Sequence, residues 1–235
     1  MPIDALPMAA RLSRWLNTLF YTVYRSDWPA LVALLEREAV HTPDFFFVQI
    51  GANDGVTHDP LHESILRHRW RGVLVEPVQS YFSELQQCYR GQAQLRFERA
   101  AIAPTDGTRT IYRARDDAPL PKWCKGLASL HAEVVLKHRW LAPRIADFLV
   151  SEPVPCLRLA SLLARHAVQR IDLLAIDTEG HDFEIIKQIE FTRLRPRIIL
   201  YEHKHLSRGE RRDCRLLLRA QGYRLARRYG NTVAF

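Results

Sequence analysis

Cysteine is scarce in these 235 residues: Cys88, Cys124, Cys156 and Cys214 stand far apart, with no C-x-x-C pair among them. Such scatter argues against a disulfide framework and against a thiolate zinc site, and makes a reducing cytoplasm the expected setting. No apolar run approaches the roughly 20 residues that a membrane-spanning helix needs. A secretory leader is not expected either, because Arg11 and Arg14 interrupt the first apolar stretch and Asp4 precedes it. Acidic side chains are in deficit, 26 against 34 lysines and arginines, which leaves a net charge of +8. Much of the excess lies near the C-terminus, in Arg208, Arg211, Arg212, Arg215, Arg219, Arg224, Arg227 and Arg228. A nucleic-acid groove is one reading of that cluster. The preferred one is a solvated helix face, which argues against nucleic acid as a partner and suits anionic small molecules such as sugar phosphates.

What is present begins with Phe45-Phe46-Phe47-Val48-Gln49-Ile50, which runs straight into Gly51-Ala52-Asn53-Asp54-Gly55. A strand buried on both faces of a parallel sheet reads this way, continuous rather than alternating. The glycines permit a sharp turn and the close approach of a ligand. In an α/β sheet, nucleotides bind just past the carboxyl end of such a strand. A second apolar run, Gly72-Val73-Leu74-Val75, ends on Glu76-Pro77. Glu76 follows Gly51 by 25 positions, near the roughly 20 that separate a glycine turn from a ribose-binding acid. The turn is G-x-x-x-G rather than G-x-G-x-x-G. That departure points away from NAD and toward other adenosine ligands, S-adenosylmethionine first among them.

The spacing of Leu12, Trp15, Leu16, Leu19, Phe20 and Val23 predicts a helix. Leu31, Leu34 and Leu35 predict a second, with Asp27 as its N-cap. Residues 1–41 therefore read as an N-terminal helical cap on a domain spanning 42–235. After the glycine turn, Asp59-Pro60 starts a helix whose inner face is Leu61, Ile65 and Leu66. Tyr81, Leu85 and Tyr89 mark another helix, Leu95 to Ile102 reads as strand three, and Asp106-Gly107 turns into an extended piece, Thr108 to Tyr112. Residues 113–156 break the rhythm with Pro119, Pro121, Pro143, Pro153 and Pro155. They read as an irregular insertion with some helix around 129–140, placed where loops above a sheet set specificity. Order returns with Ile171 to Ile176, a buried strand ending on Asp177-Thr178-Glu179-Gly180. The next helix turns Phe183, Ile186 and Ile189 inward, with Asp182 and Glu184 near its positive end. Arg197 to Tyr201 is the following strand; a helix over about 207–221 and a hairpin about Gly230-Asn231 close the chain. The fold class is α/β: a Rossmann-like seven-stranded sheet, mostly parallel, with an antiparallel last strand.

Three blocks together resemble the FkbM family of S-adenosylmethionine-dependent methyltransferases. They are Phe47 to Gly55, Gly72 to Pro77, and Ile171 to Asp182 with its Asp-Thr-Glu-Gly-His-Asp. Ile199-Leu200-Tyr201-Glu202-His203 is similar to the family's next strand. The resemblance covers roughly 45–235. It implies O-methylation of a hydroxyl on a sugar, glycolipid, polyketide or other small-molecule acceptor, with S-adenosylmethionine as cofactor.

By resemblance, Gly51, Asn53 and Gly55 form the turn beside the methionine part of the cofactor. Asp54 either reaches its ammonium or caps the loop. Glu76, beside Pro77, grips the ribose, and Ala101 and Ile102 are where the adenine lies unless they are ordinary core. Asp177, Glu179 and His181 are the expected catalytic group, Asp177 also facing the cofactor. A carboxylate or imidazole there can take the hydroxyl proton as the methyl is attacked. His181 has the right ordinary pKa for that role, against a plain packing role at a helix start. Asp177, Glu179 and Glu202 are also hard oxygen ligands, so a divalent metal stays undecided. Trp123, His131 and Trp140 in the insertion, with Glu202 and His203, are the candidate acceptor residues. The place after strand four holds Asp-Thr-Glu-Gly rather than the Asn-Pro-Pro-Tyr common in base-methylating enzymes, which argues against adenine or cytosine N-methylation. An RNA ribose O-methyltransferase and a non-catalytic S-adenosylmethionine-binding module are the alternatives.

Overall fold

The computed structural model describes residues 28–228 and 230–235. The expected helix over 12–23, the cap Asp27 and Tyr229 lie outside the described residues. Along the chain come helix α1 (Trp28–Val40), strand β1 (Phe46–Ile50), α2 (His62–His68), β2 (Arg71–Val75) and α3 (Gln79–Cys88). Then follow β3 (Leu95–Glu98), β4 (Ala101–Ile102), β5 (Gly107–Ala114), β6 (Ala128–Ser129), α4 (Ala132–Leu136) and β7 (Leu149–Leu157). Last are α5 (Leu159–Arg165), β8 (Leu173–Ile176), α6 (Asp182–Ile186), β9 (Ile198–Glu202), α7 (Arg208–Ala220), β10 (Leu225–Arg228) and β11 (Asn231–Ala234).

Seven strands form the main sheet in the order β10-β11-β9-β8-β1-β2-β3. Pairing is parallel from β9 through β3, and β11 runs antiparallel to both β9 and β10. The continuous apolar runs have their cause here. In β1, Phe47 packs with Leu31, Leu35 and Ile65 on one face, while Val48 and Ile50 pack with Leu162, Phe183 and Ile185 on the other. Successive side chains point to opposite faces, and both faces are covered. At the strand's start, the buried Asp172 accepts from Phe46 N (2.9 Å) and from Arg170 Nε (3.0 Å), tying β8 to β1. Helix α7 begins with a capping box between Ser207 and Glu210.

The segment read as strand three divides. Leu95–Glu98 pairs with β2, but Ala101–Ile102 leaves the main sheet and pairs with Cys156-Leu157. It joins a second sheet of order β4-β7-β5-β6. The supposed irregular insertion supplies β6 and most of β7, and β5 pairs with β7 over eight residues, Gly107↔Cys156 to Ala114↔Leu149. Pro153 and Pro155 fit because β4 covers β7 only at Cys156 and Leu157, so the strand is an edge where they stand. A smaller difference concerns a helix face. Leu66 is 36% exposed while Leu61 and Ile65 are buried, since four residues, not five, return to one face of a helix. Asp182 stands in the first turn of α6, as expected, and is wholly buried there, accepting from Glu202 N and Thr178 Oγ1.

The packing of β2 on β1 generates a stability prediction. A Cβ on Gly72 would lie 2.5 Å from the ring and the carbonyl oxygen of Phe47. Gly72→Ala should cost about 1–3 kcal/mol by overpacking, read as a lower urea midpoint at unchanged m-value. An unchanged midpoint would show that β2 shifts freely.

Candidate active site at the carboxyl ends of β1, β2 and β8

Chain order reverses between β1 and β8: β1 continues to β2 on one side, and β8 arrives on the other. Ligand crevices open at such switch points. The turn after β1 is held there by backbone. Gly51 N and Ala52 N donate to Val75 O (2.9 and 3.0 Å), and Asp177 N donates to Ile50 O (2.9 Å). Gly51 has φ +84°, and a Cβ on it would meet the Asp177 carbonyl oxygen at 1.8 Å. Glycine is required there by the neighbouring strand, before any ligand is considered. Gly55 is pressed against Leu85 of α3 and Tyr89 just past its end. Asp54 accepts from Val56 N, Thr57 N and Thr57 Oγ1 at 3.0, 2.7 and 2.6 Å. It caps the loop, as one of its two expected roles, and neither it nor Gly55 lines the cavity.

Glu76 closes β2. Its Oε2 accepts from Asn53 N (3.0 Å) and its Oε1 from Val78 N (2.9 Å). Burial pushes its carboxyl up to about 7. Gly51, Asn53, Glu76, Pro77, Ala101 and Ile102 all line one cavity. An apolar wall, a buried carboxylate and a side-chain-free turn suit adenine, ribose and an amino-acid tail in that order, so these residues fit S-adenosylmethionine.

Asp177, Glu179 and His181 line the same cavity. Enclosure by the cavity walls and then the charge of Glu179 push the Asp177 carboxyl upward. His181 is 4% exposed, and its Nε2 has no hydrogen-bond partner. Its Nδ1 lies 3.4 Å from His131 Nε2. Burial, then the neighbouring His131, hold the imidazole down at about 4. Glu179 has φ +51°, a left-handed conformation that carries about 1–3 kcal/mol of strain in a non-glycine residue. Ser129 Oγ donates to its carbonyl oxygen (2.7 Å), pinning it there.

The other expected residues disperse. Trp123 lines the cavity with its ring 5.6 Å from that of His138, and His131 reaches it only through His181. Trp140 is 61% exposed and off the cavity wall. Its place in a short 3₁₀ turn, Lys137–Trp140, points it outward. Glu202 and His203 are buried behind the wall, His203 Nδ1 lying 2.9 Å from Thr232 Oγ1. Conversely, Gln49, Asp59, Lys125, His138 and Lys204 line the cavity although the spacing argument missed them. Burial raises Asp59 to about 6 while its Oδ1 accepts from Leu61 N. Gln49 carried a signal: it is the single polar residue inside the first apolar run.

Among solved structures, the chain is similar to the N-terminal domain of human METTL16 in complex with SAH. They share 11% identity over 100% of this chain and 70% of that one, at a TM-score of 0.42. It is also similar to precorrin-6y C5,15-methyltransferase from Geobacter metallireducens, with 12% identity, 84% and 72% coverage and a TM-score of 0.42. A third is the Methanococcus jannaschii fibrillarin pre-rRNA processing protein, with 11% identity and a TM-score of 0.42. The match covers 81% of this chain and spans 65% of the fibrillarin chain. No curated protein sequence matches the chain significantly. A family model, the methyltransferase FkbM domain, matches residues 49–225. That span takes in the turn after β1, Glu76, the loop from Asp177 to Asp182 and Glu202, and the chain belongs to the FkbM methyltransferase family, whose methyl donor is S-adenosylmethionine.

Proposed function

We propose that the protein transfers a methyl group from S-adenosylmethionine to a hydroxyl of a carbohydrate-type or other small-molecule acceptor. The observation that carries this reading is His181, which lines the cavity together with Gly51 and Glu76 and whose buried Nε2 has no hydrogen-bond partner. Gly51, Asn53 and Glu76, with Ala101 and Ile102, would hold the cofactor, and Asp59 is available to its ammonium. When bound, the sulfonium supplies the electrophilic methyl. His181 then takes the acceptor's hydroxyl proton at Nε2. For Nε2 to be bare, the ring's own proton sits on Nδ1, facing His131 Nε2 at 3.4 Å. His131 is thus a positioning residue, itself 3.7 Å from Glu133 through its Nδ1. Asp177 and Glu179 flank the reacting oxygen. Residues 113–156 form part of the acceptor site, since Trp123, Lys125, Leu127 and Leu130 line the cavity. The domain division at residues 41 and 42 is part of the same reading.

An RNA ribose is the second reading. Exposed Arg208, Arg212 and Arg219 on α7, with Arg224 and Arg227 beyond it, favour it. RNA binding there would weaken steeply as salt rises, whereas a small neutral acceptor would not respond.

Four outcomes are expected, two at Glu76 and two at His181. Glu76→Ala should weaken S-adenosylhomocysteine binding by about 1–3 kcal/mol in calorimetry, through a lost charge-assisted acceptor. A ribose hydroxyl donates to the ionised carboxylate, so binding expels the Glu76 proton. Wild-type affinity should therefore climb as pH rises through about 7 and level off above it. A pH-independent affinity would remove Glu76 from the ribose site. His181→Ala should lower kcat by about 10²–10⁴-fold while S-adenosylmethionine affinity stays within a few-fold. Because His181 is held at about 4, the acid limb of kcat should lie well below the ordinary histidine range. Lost cofactor affinity in that variant would put the imidazole in the cofactor pocket instead.

A further inference from the structure

We propose that Glu179, Glu202 and His205 form a binding site for a divalent transition-metal cation, Mn²⁺ or Zn²⁺, at the wall of the methyl-transfer cavity. One donor atom from each lies within 4.8 Å of the other two. His205 Nε2 stands 2.7 Å from Glu179 Oε2 and 3.4 Å from Glu202 Oε2. Atoms sharing one metal at usual bond lengths lie about 3.0–3.4 Å apart, so little movement is needed to admit an ion.

The second observation is the imidazole itself. His205 is 4% exposed on its side chain, yet neither of its nitrogens makes a hydrogen bond of acceptable geometry. Its Nε2 lies within ion-pair range of both carboxylates, yet the geometry completes a hydrogen bond to neither. Buried polar atoms are almost always satisfied, and an ion shared by the three groups would satisfy this one.

The surroundings fix the three groups. The left-handed turn at Glu179 is pinned by Ser129. Asp182 holds the backbone of Glu202, and the His138 ring lies 5.2 Å from that of His205. Lys204 Nζ sits 2.5 Å from Glu202 Oε1, leaving Oε2 on the side of His205. Lys204, in contact with Glu202, and Lys137, which acts on both Glu179 and Glu202, are cations of this cluster, and an ion among the three donors would sit directly between the two carboxylates. Two hard oxygens with one imidazole suit manganese or zinc better than calcium or copper(I). Three protein ligands leave open positions, and Glu179 lines the cavity. There the ion could take two neighbouring oxygens of an acceptor and lower the pKa of the one to be methylated. That role rests on the function proposed above; the site itself does not.

The test uses the full-length protein, stripped with chelator and dialysed. Mn²⁺ alone is titrated and read by electron paramagnetic resonance, Zn²⁺ alone by calorimetry, and S-adenosylhomocysteine binding is measured on the same samples. Saturable binding of one ion per chain is expected, weakened at least about tenfold in His205→Ala and in Glu202→Gln, with S-adenosylhomocysteine affinity kept in both. If one variant fails to fold, as judged by lost S-adenosylhomocysteine binding, the other decides. Absence of saturable metal binding in wild type that still binds S-adenosylhomocysteine would overturn the site and leave the carboxylates balanced by the protein's own cations. Metal binding undiminished in the folded variants would overturn it equally. Metal binding by a protein that fails to bind S-adenosylhomocysteine would support the site and sink the methyl-transfer reading instead.

Discussion

The structure turns on the crossing of two backbones at the switch point. Gly51 passes so close to the Asp177 carbonyl that no side chain fits between them. Three hydrogen bonds, from Gly51, Ala52 and Asp177, lock the ends of β1, β2 and β8 at that point. Everything chemical in the molecule is set out from this junction. On one side it presents Asn53 N to Glu76. On the other it sends the chain through Asp177, Glu179 and His181. A larger residue at position 51 would part the strands and separate the two halves of the cavity.

Enclosure then sets the charge states. The same low-dielectric surroundings push the acids Glu76 and Asp59 toward neutrality and hold His181 and His138 unprotonated. A neutral imidazole with a bare Nε2 is what proton abstraction from a hydroxyl needs. Around Glu179 the outcome is different. Burial alone would raise its carboxyl, but His205 and Lys204 outweigh burial and lower it. One cavity thus holds acids shifted upward and an acid shifted downward, sorted by their neighbours.

The second sheet gives the cavity its far wall. Ala101 and Ile102 leave the main sheet, are paired by β7, and still face the cavity. Between β5 and β6 the chain passes through Trp123, Lys125 and Leu127, so these cavity-lining residues stand on a short helical turn and a loop held at both ends by paired strands.

The sequence by itself determined the central strands, the turn after β1, the acid ending β2, and the Asp177 to His181 loop. Those features are local: a strand buried on both faces must be continuously apolar, and the residues at its carboxyl end follow in register. Composition and periodicity also determined helices α3 and α7 and the closing hairpin. Only the tertiary structure decided where pairing partners change. Nothing in Leu95 to Ile102 marks the point at which β3 hands over to β4, because the partner strand comes some fifty residues later. For the same reason the proline-rich segment read as irregular, although β5 finds β7 across it. His205 and Lys204 lie just past a strand end and show no motif. They acquire chemistry because parallel pairing of β8 and β9 brings Glu179 and Glu202 to one edge of the sheet. Proximity across strands depends on hydrogen-bond register, which hydrophobic spacing along one strand does not encode.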